Sequence, residues 1–396
     1  MGGGYFVRRE RVVKLVFASN YFNHHQISLA KAFSRIYGDD YVFIAFTEFN
    51  AKRLSIGYRD MNQEPFVFRA YESPSAMSEA KRIIDEAECV IIAGMPVSLV
   101  SSRLKLGRIT FMQSERFFKG PLWKDACRFL KYCRYSGGRA QARDPKSKFY
   151  LLCASAFAAW DYNACGLFRG KAYRWGYFPE VRNYDDVDEM ISRKKPGSII
   201  WVGRFLDWKH PDFAVKLASN LRNAGHKFNM KIIGSGEMSE DLSRVIEAEK
   251  LGGLVEMTGA LSTSEVRSEM ESAQIFIFTS DRGEGWGVVL QEAMNACCAV
   301  VAGEKIGSVP YILKDGRNGV IFRDRDVQDL TVKVSGLLRE PENITALGRG
   351  AYETVSTEWN ADEAAVRFVR LSEALNKGEY SGSLWEDGPG SIDTIA

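Results

Sequence analysis

No stretch of the 396 residues offers the roughly 18 consecutive apolar residues that a bilayer-spanning helix requires, so no membrane-crossing segment is expected. The opening MGGGYFVRRERVVKLVFASN lacks a separate apolar segment before a small-residue cleavage site, so a secretion signal is not expected there, and Val12–Ala18 reads as a first core strand. Histidine is scarce, at four residues, and the seven cysteines (Cys89, Cys127, Cys133, Cys153, Cys165, Cys297, Cys298) contain no Cys-x-x-Cys pair. A structural zinc site is therefore not expected, and free thiols in a reducing cytoplasm are.

What remains is a soluble globular composition, 45% hydrophobic and 26% charged, on a chain long enough for two domains. The net charge of +3 hides an asymmetry: between residues 101 and 150, thirteen Lys or Arg face only Glu115, Asp125 and Asp144. Apolar runs alternate with helical patterns in both halves, the signature of parallel sheets flanked by helices. Strands are expected at Val12–Ala18, Tyr41–Phe46, Cys89–Ala93, Arg108–Met112 and Phe149–Cys153, then at Ser198–Val202, Phe228–Ile233, Val255–Thr258, Ile275–Thr279 and Ala299–Ala302. Lys194-Lys195-Pro196-Gly197 closes a charged connector. The division is a domain over 1–178, a linker over 179–197, a second domain over 198–360, a terminal helix over 361–376 crossing back to the first domain, and a loose tail over 377–396. Two such domains imply a cleft between them, where ligands sit beyond the carboxyl ends of the strands.

Glu284 and Glu292 stand in Glu-Gly-Trp-Gly-Val-Val-Leu-Gln-Glu, the first in a glycine-rich turn and the second in a helix expected over Trp286–Ala296. The first amides of a helix lack internal partners and carry the positive end of its dipole, so an anion can dock there. A carboxylate on either side of that anion could hold hydroxyls, which is the layout of a sugar nucleotide. The spacing alone also arises by chance. Its neighbours strengthen it: Gly203, Arg204 and Lys209 leave one strand, and Arg with Lys suits a diphosphate. Ile233-Gly234-Ser235-Gly236 and Thr258-Gly259-Ala260-Leu261 each follow another strand. Taken singly these are ordinary turns.

In order and spacing, Gly-Arg…Lys, Gly-Ser-Gly, Thr-Gly, Ser-…-Glu-Gly-Trp-Gly…Glu-Ala and Asp-Gly-Arg-Asn-Gly resemble the donor half of retaining GT-B glycosyltransferases of family four (glycosyl transferases group 1), over roughly residues 198–370. The resemblance implies an α/β fold of GT-B type, two doubly wound Rossmann-like domains facing an interdomain cleft. By position it implies that Arg204 and Lys209 bind the diphosphate and act in catalysis with Glu284, which holds the donor sugar. It implies that Gly285, Trp286, Gly287 and Val288 present the helix start and that Glu292 holds the ribose. Gly203 and Gly234 would line the donor site, and Gly259, Ala260 and Leu261 would face the base. It implies no metal and no cofactor, only a UDP- or GDP-linked sugar as co-substrate, and no Asp-x-Asp stands in a plausible loop. Gly307-Ser308-Val309-Pro310-Tyr311 departs from the family's Gly-Gly-x-Pro-Glu and leaves the donor sugar open.

Asn20-Tyr21-Phe22-Asn23-His24-His25, before a helix over His24–Ile36, resembles a bacterial branch tied to cell-envelope polysaccharide synthesis. Asn20, His24, His25 and Glu115 are candidate acceptor contacts, against a helix-start or packing role for the histidines and a salt bridge with Arg116 or Arg128 for Glu115. Along GPLWKDACRFLKYCRYSG, Trp123, Cys127 and Leu130 recur at helical spacing among Lys124, Arg128 and Lys131. A basic helix with apolar residues suits an anionic membrane, so residues 103–148 are a candidate surface for the inner face of the cell membrane, against a helix packed on its own sheet. The expected activity is transfer to a glycan or lipid-linked acceptor, by front-side attack in preference to double displacement, because no carboxylate is clearly placed as the nucleophile. Alternatives are a DNA-modifying glycosyltransferase, with nucleic acid the less favoured partner, and a non-catalytic nucleotide-sugar-binding subunit.

Overall fold

The computed structural model describes residues 12–49, 60–120, 122–135, 138–378 and 383–394. Seven parallel strands form the first sheet: β1 (Leu15–Ser19), β2 (Tyr41–Ala45), β3 (Val67–Arg69), β4 (Cys89–Ala93), β5 (Thr110–Ser114), β6 (Phe149–Cys153) and β7 (Ala172–Arg174). Their order is β3-β2-β1-β4-β5-β6-β7. Six more form the second: β8 (Ser198–Val202), β9 (Asn229–Ile233), β10 (Val255–Gly259), β11 (Ile275–Phe278), β12 (Ala299–Gly303) and β13 (Val320–Phe322), in the order β10-β9-β8-β11-β12-β13. Both are doubly wound, as the resemblance implies. The central strands β1, β11 and β12 are buried along their whole length, because helices cover both faces of the sheet.

The strands that sequence reading missed are β3, β7 and β13, three residues each and all at sheet edges. Edge strands are half covered and need no apolar run. Helix starts also shift. The first helix spans Ile27–Tyr37 rather than starting at His24, because Asn23–Gln26 closes as a turn, the Gln26 amide donating to the Asn23 carbonyl at 2.9 Å. The helix expected over Trp286–Ala296 spans only Val289–Asn295, since Gly287 has φ +87°, which ends any helix before it.

The helix Ala361–Lys377 returns to the first domain and sets Phe368 against Phe33, Phe111 and Trp175. The expected loose tail needs correction over its described part, residues 383–394. Ile392 bridges Tyr173, the Gly390 amide donates to the Arg174 carbonyl at 2.8 Å, and Ser391 is fully buried. Asp387 pairs with Arg174 of the first domain and, at 2.7 Å, with Lys314 of the second. Glycine and acid composition concealed this order, because its partners, Tyr173, Arg174 and Lys314, lie far away in sequence.

Two basic residues of the 101–150 stretch, Arg103 and Arg116, leave the surface. Arg103 is fully buried and donates to the carbonyls of Ile84, Ala87 and Ile109 at 2.7–2.8 Å, ending the helix Pro74–Glu86 inside the core. Cys89, Cys153, Cys165, Cys297 and Cys298 are buried free thiols, and Cys127 is an exposed one. Among the described residues no helix is long and apolar enough to cross a membrane.

Candidate active site

The carboxyl ends of β8 and β11 bring Lys209 and Glu284 together. Lys209 Nζ lies 2.5 Å from Glu284 Oε2, and the two side chains are only 14% and 11% exposed. Ser280 donates to the same oxygen at 3.2 Å. The Lys209 stem runs past Gly203, where an added Cβ would sit 3.4 Å from Lys209 Cδ and 3.0 Å from the Trp201 ring. Its ammonium also lies over the Trp208 ring, at 4.5 Å.

Asp281, to which sequence reading assigned no role, ties the two loops together. Its amide donates to the Trp208 carbonyl at 3.0 Å, and its carboxylate accepts from Gly283 N–H at 2.7 Å and faces His210 Nε2 at 3.3 Å and the Arg325 guanidinium. Burial works to raise the Asp281 pKa, but His210, Arg325 and the Gly283 amide prevail and hold it down to about 2. His210 itself sits at φ +48° and stacks on Phe213 at 4.6 Å. The signal available in the sequence was the pairing of an acid two residues before Gly283 with a histidine directly after Lys209.

The remaining donor candidates lie around this pair. Arg204 is exposed at the same strand end, and no ion pair engages its guanidinium among the described residues. Gly234 is pressed against β8, where a Cβ would fall 1.8 Å from the Gly203 carbonyl oxygen. Gly259 has φ +75°, and its carbonyl accepts from Gly234 N–H at 2.9 Å. Ala260 is exposed beside it and Leu261 half-buried. Glu292 is half-buried in the first turn of the short helix; burial raises its pKa and Arg267 opposes that. No hydrogen bond engages its carboxylate among the described residues. Gly285 and Gly287 flank Trp286, while the Val288 backbone caps the helix. The Trp286 side chain turns inward, fully buried, donating to Gln291 Oε1 at 2.8 Å and meeting Tyr177 of the first domain edge-on at 6.5 Å.

On the facing wall, Glu115 accepts from Tyr177 at 3.0 Å and pairs with Lys119 at 2.6 Å. A Cβ on Gly285 would fall 1.8 Å from Glu115 Oε2 and 2.6 Å from Lys119 Nζ, so this carboxylate stands directly across from the Glu284 turn. The salt-bridge alternative for Glu115 therefore holds with Lys119 rather than with Arg116 or Arg128. His25 reaches the same wall through Tyr177, 6.4 Å ring to ring, and the His24 ring lies tilted against His25 at 3.8 Å. Asn20 stands apart from them: its side chain accepts from the Tyr21 amide and its carbonyl from Phe46 and Thr47. The two walls are joined by Arg282, which donates to Asp125 at 2.8 Å and to the Phe118 carbonyl at 2.9 Å, and by the Ala156 amide, which donates to the Gly307 carbonyl at 2.8 Å.

The expectation that no Asp-x-Asp stands in a plausible loop needs one refinement. Asp186-Val187-Asp188 runs into the helix Val187–Ser192 and Asp324-Arg325-Asp326 stands just before the helix Val327–Arg339, and Asp186 and Asp326 cap these helices, accepting from the amides of Asp188 and Glu189 and of Asp329. Among the described residues no cluster of three or more His, Cys, Asp or Glu is placed to hold a metal ion.

Residues 185–354 match the family model for glycosyl transferases group 1. The chain is 28% identical over 241 residues to the sulfoquinovosyl transferase of Arabidopsis thaliana, covering 59% of this chain and 43% of the relative. It is 26% identical over 184 residues to the GDP-mannose-dependent alpha-(1-6)-phosphatidylinositol monomannoside mannosyltransferase of Mycolicibacterium smegmatis, covering 45% of this chain and 47% of the relative. The matched region thus spans less than half the length of these curated relatives. In three dimensions it is similar to Anabaena HepE in complex with UDP, with a TM-score of 0.65 over 91% of this chain and 100% of HepE at 12% identity, which shows the GT-B fold.

Proposed function

We propose that this chain is a retaining, metal-independent glycosyltransferase of GT-B family four that moves a sugar from a UDP- or GDP-linked donor to a hydroxyl of a glycan or lipid-linked acceptor. The observation that carries the reading is the Lys209–Glu284 pair, a cation and a carboxylate held 2.5 Å apart at the strand ends where a donor's phosphate and sugar would meet. In this reading a donor inserts between them. Lys209 and the unengaged Arg204 face the diphosphate and stabilise the charge that grows on the leaving group. Glu284, released from Lys209, accepts hydrogen bonds from sugar hydroxyls, and the unengaged Glu292 carboxylate accepts from the ribose. Glu115 already accepts from Lys119 and Tyr177, which favours a positioning role over attack on the anomeric carbon, and the departing phosphate takes the acceptor proton. The family match and the relatives named as transferases support this assignment.

The acceptor side is read as docking on the inner face of a cell membrane, in a polysaccharide or envelope pathway of the cytoplasm. Its support is the helix Leu122–Tyr135: Trp123 is 66% and Leu130 65% exposed on one stripe with the exposed Cys127, flanked by exposed Lys124 and Arg128. A large aromatic and a leucine left in water among cations fit an anionic interface.

Transfer from UDP- and GDP-sugars is the test of the enzyme, with Glu284→Ala and Lys209→Ala losing it. Transfer at the wild-type rate in either variant sinks the assignment. Binding to anionic vesicles but not to duplex DNA, each across salt, separates the membrane reading from a DNA-modifying one.

A further inference from the structure

Beside the donor pair, the mouth of the cleft gathers cations that the proposed reaction does not use. Arg116 lies over the Phe157 ring at 4.6 Å, and Lys305, from the loop after β12, lies over the same ring at 6.0 Å. Arg282 joins them from the Glu284 loop, close enough that its charge adds to burial in lowering the Arg116 pKa, against the pull of Asp161. Arg116 is only 9% exposed, and both its Nε and that of Arg282 are buried with no hydrogen-bond acceptor. Asp161 does not satisfy this cluster. Its Oδ2 is taken by the amides of Phe117 and Phe118 at 2.8 and 2.9 Å, and Oδ1 stands 3.7 Å from Arg116. Lys305 is exposed with no ion pair among the described residues. On the rim Trp160 is 50% exposed and meets Phe118 edge-on at 6.2 Å.

Buried guanidinium N–H groups without acceptors are costly, and the Nε groups of Arg116 and Arg282, one from each domain, have none although Asp125 pairs with Arg282 at 2.8 Å and Asp161 stands 3.7 Å from Arg116. We propose that Arg116, Arg282 and Lys305 form a phosphate-binding subsite at the cleft mouth. It takes the phosphate of a phosphorylated acceptor whose sugar lies against Trp160. The word acceptor rests on the glycosyltransferase reading; the phosphate site does not. Arg offers a planar fork and Lys a point charge, the combination suited to phosphate. Because one guanidinium comes from each domain, the bound phosphate also holds the domains closed.

Calorimetric titration of inorganic pyrophosphate into the full chain, with UDP or GDP saturating the donor site, tests this. Pyrophosphate is expected to bind alongside the nucleotide. Arg116→Gln and the surface variant Lys305→Ala are each expected to weaken it about tenfold, the loss of one charge-assisted contact, with nucleotide affinity unchanged. Glucose 1-phosphate and vesicles of phosphatidic acid in phosphatidylcholine then distinguish a soluble from a lipid-borne phosphate, again by sensitivity to Lys305→Ala. Pyrophosphate that only competes with nucleotide, or that binds Lys305→Ala as tightly as the wild type, overturns the site. If neither nucleotide binds, the enzyme reading falls, and pyrophosphate titrated alone against Lys305→Ala still decides the subsite.

Discussion

Replacing Lys209 by methionine leaves the Glu284 carboxylate in the cleft with Ser280 Oγ, at 3.2 Å, as its remaining hydrogen-bond donor among the described residues. Both partners of the pair are close to nine-tenths buried, so their attraction is little screened and the abandoned charge is poorly solvated. Breaking a buried pair from one side costs about 3–5 kcal/mol, whereas replacing both charges by neutral groups of similar shape is often near neutral. Lys209→Met is therefore expected to lower stability by about 3 kcal/mol, and Lys209→Met/Glu284→Gln to recover most of that loss. Urea denaturation of the four proteins closes the cycle, with a coupling energy of about 2 kcal/mol expected between the sites. All three variants are expected to lose transfer by about a hundredfold or more, the effect of removing one preorganised charge contact in a transition state. Stability and activity thus part company: the double variant is a folded, inactive protein. Strict additivity of the two stability losses refutes the pairing, and a double variant that transfers sugar refutes its role in catalysis.

Other outcomes follow from individual residues. Asp281 is held down to about 2 in the folded chain against an ordinary 3.8, so its contribution, about 2 kcal/mol by linkage, is present above pH 4 and fades as pH falls from 4 to 2; unfolding against pH for wild type and Asp281→Asn measures it, and identical acid profiles contradict it. Gly287→Ala meets both φ +87° and the Phe278 ring 2.5 Å from the new Cβ, and is expected to cost about 3 kcal/mol. Gly285→Ala meets the side-chain ends of Glu115 and Lys119 first, across the cleft, so it is expected to keep its melting temperature and lose domain closure, seen as a larger radius in X-ray scattering. Trp123→Ser with Leu130→Ser is expected to shift stability by less than about 0.5 kcal/mol, since both residues are exposed, while binding to anionic vesicles falls.

The sequence made the donor half legible for a physical reason. A parallel sheet puts its ligand loops directly after its strands, so the residues that matter follow short apolar runs: Gly203 to Lys209 after β8, Glu284 after β11. Both strands were read to within a residue. The acceptor half was harder, because His25, Glu115 and Tyr177 come from three separate loops and meet only in the folded cleft. Arg103 shows the limit of counting charge: within a basic stretch it reads as surface, yet three carbonyls make it a core residue. Periodicity cannot report such a reversal, since it marks where apolar side chains go and says nothing of which carbonyls lack donors.

The tail carries the same lesson to the scale of domains. Asp387 faces Arg174 of the first domain and Lys314 of the second, and Asp393 accepts from Tyr311 of the second while its amide donates to Ala172 of the first. Each contact is short-range in space and long-range in sequence, so a composition of glycine, serine and acid reads as loose when it is a strap across the hinge side. Arg282–Asp125 and Ala156–Gly307 also join the domains, and the Ser155 carbonyl beside Ala156 accepts from the Tyr311 hydroxyl that Asp393 engages. The two domains are thus joined at several points around the Glu284 turn, and the Trp286 ring fills the space between them, where a Cβ on Gly176 would fall 2.2 Å from it. The strap adds backbone pairing to β7 and a buried Ser391 to these contacts, so both domains hold the Trp286 ring in place.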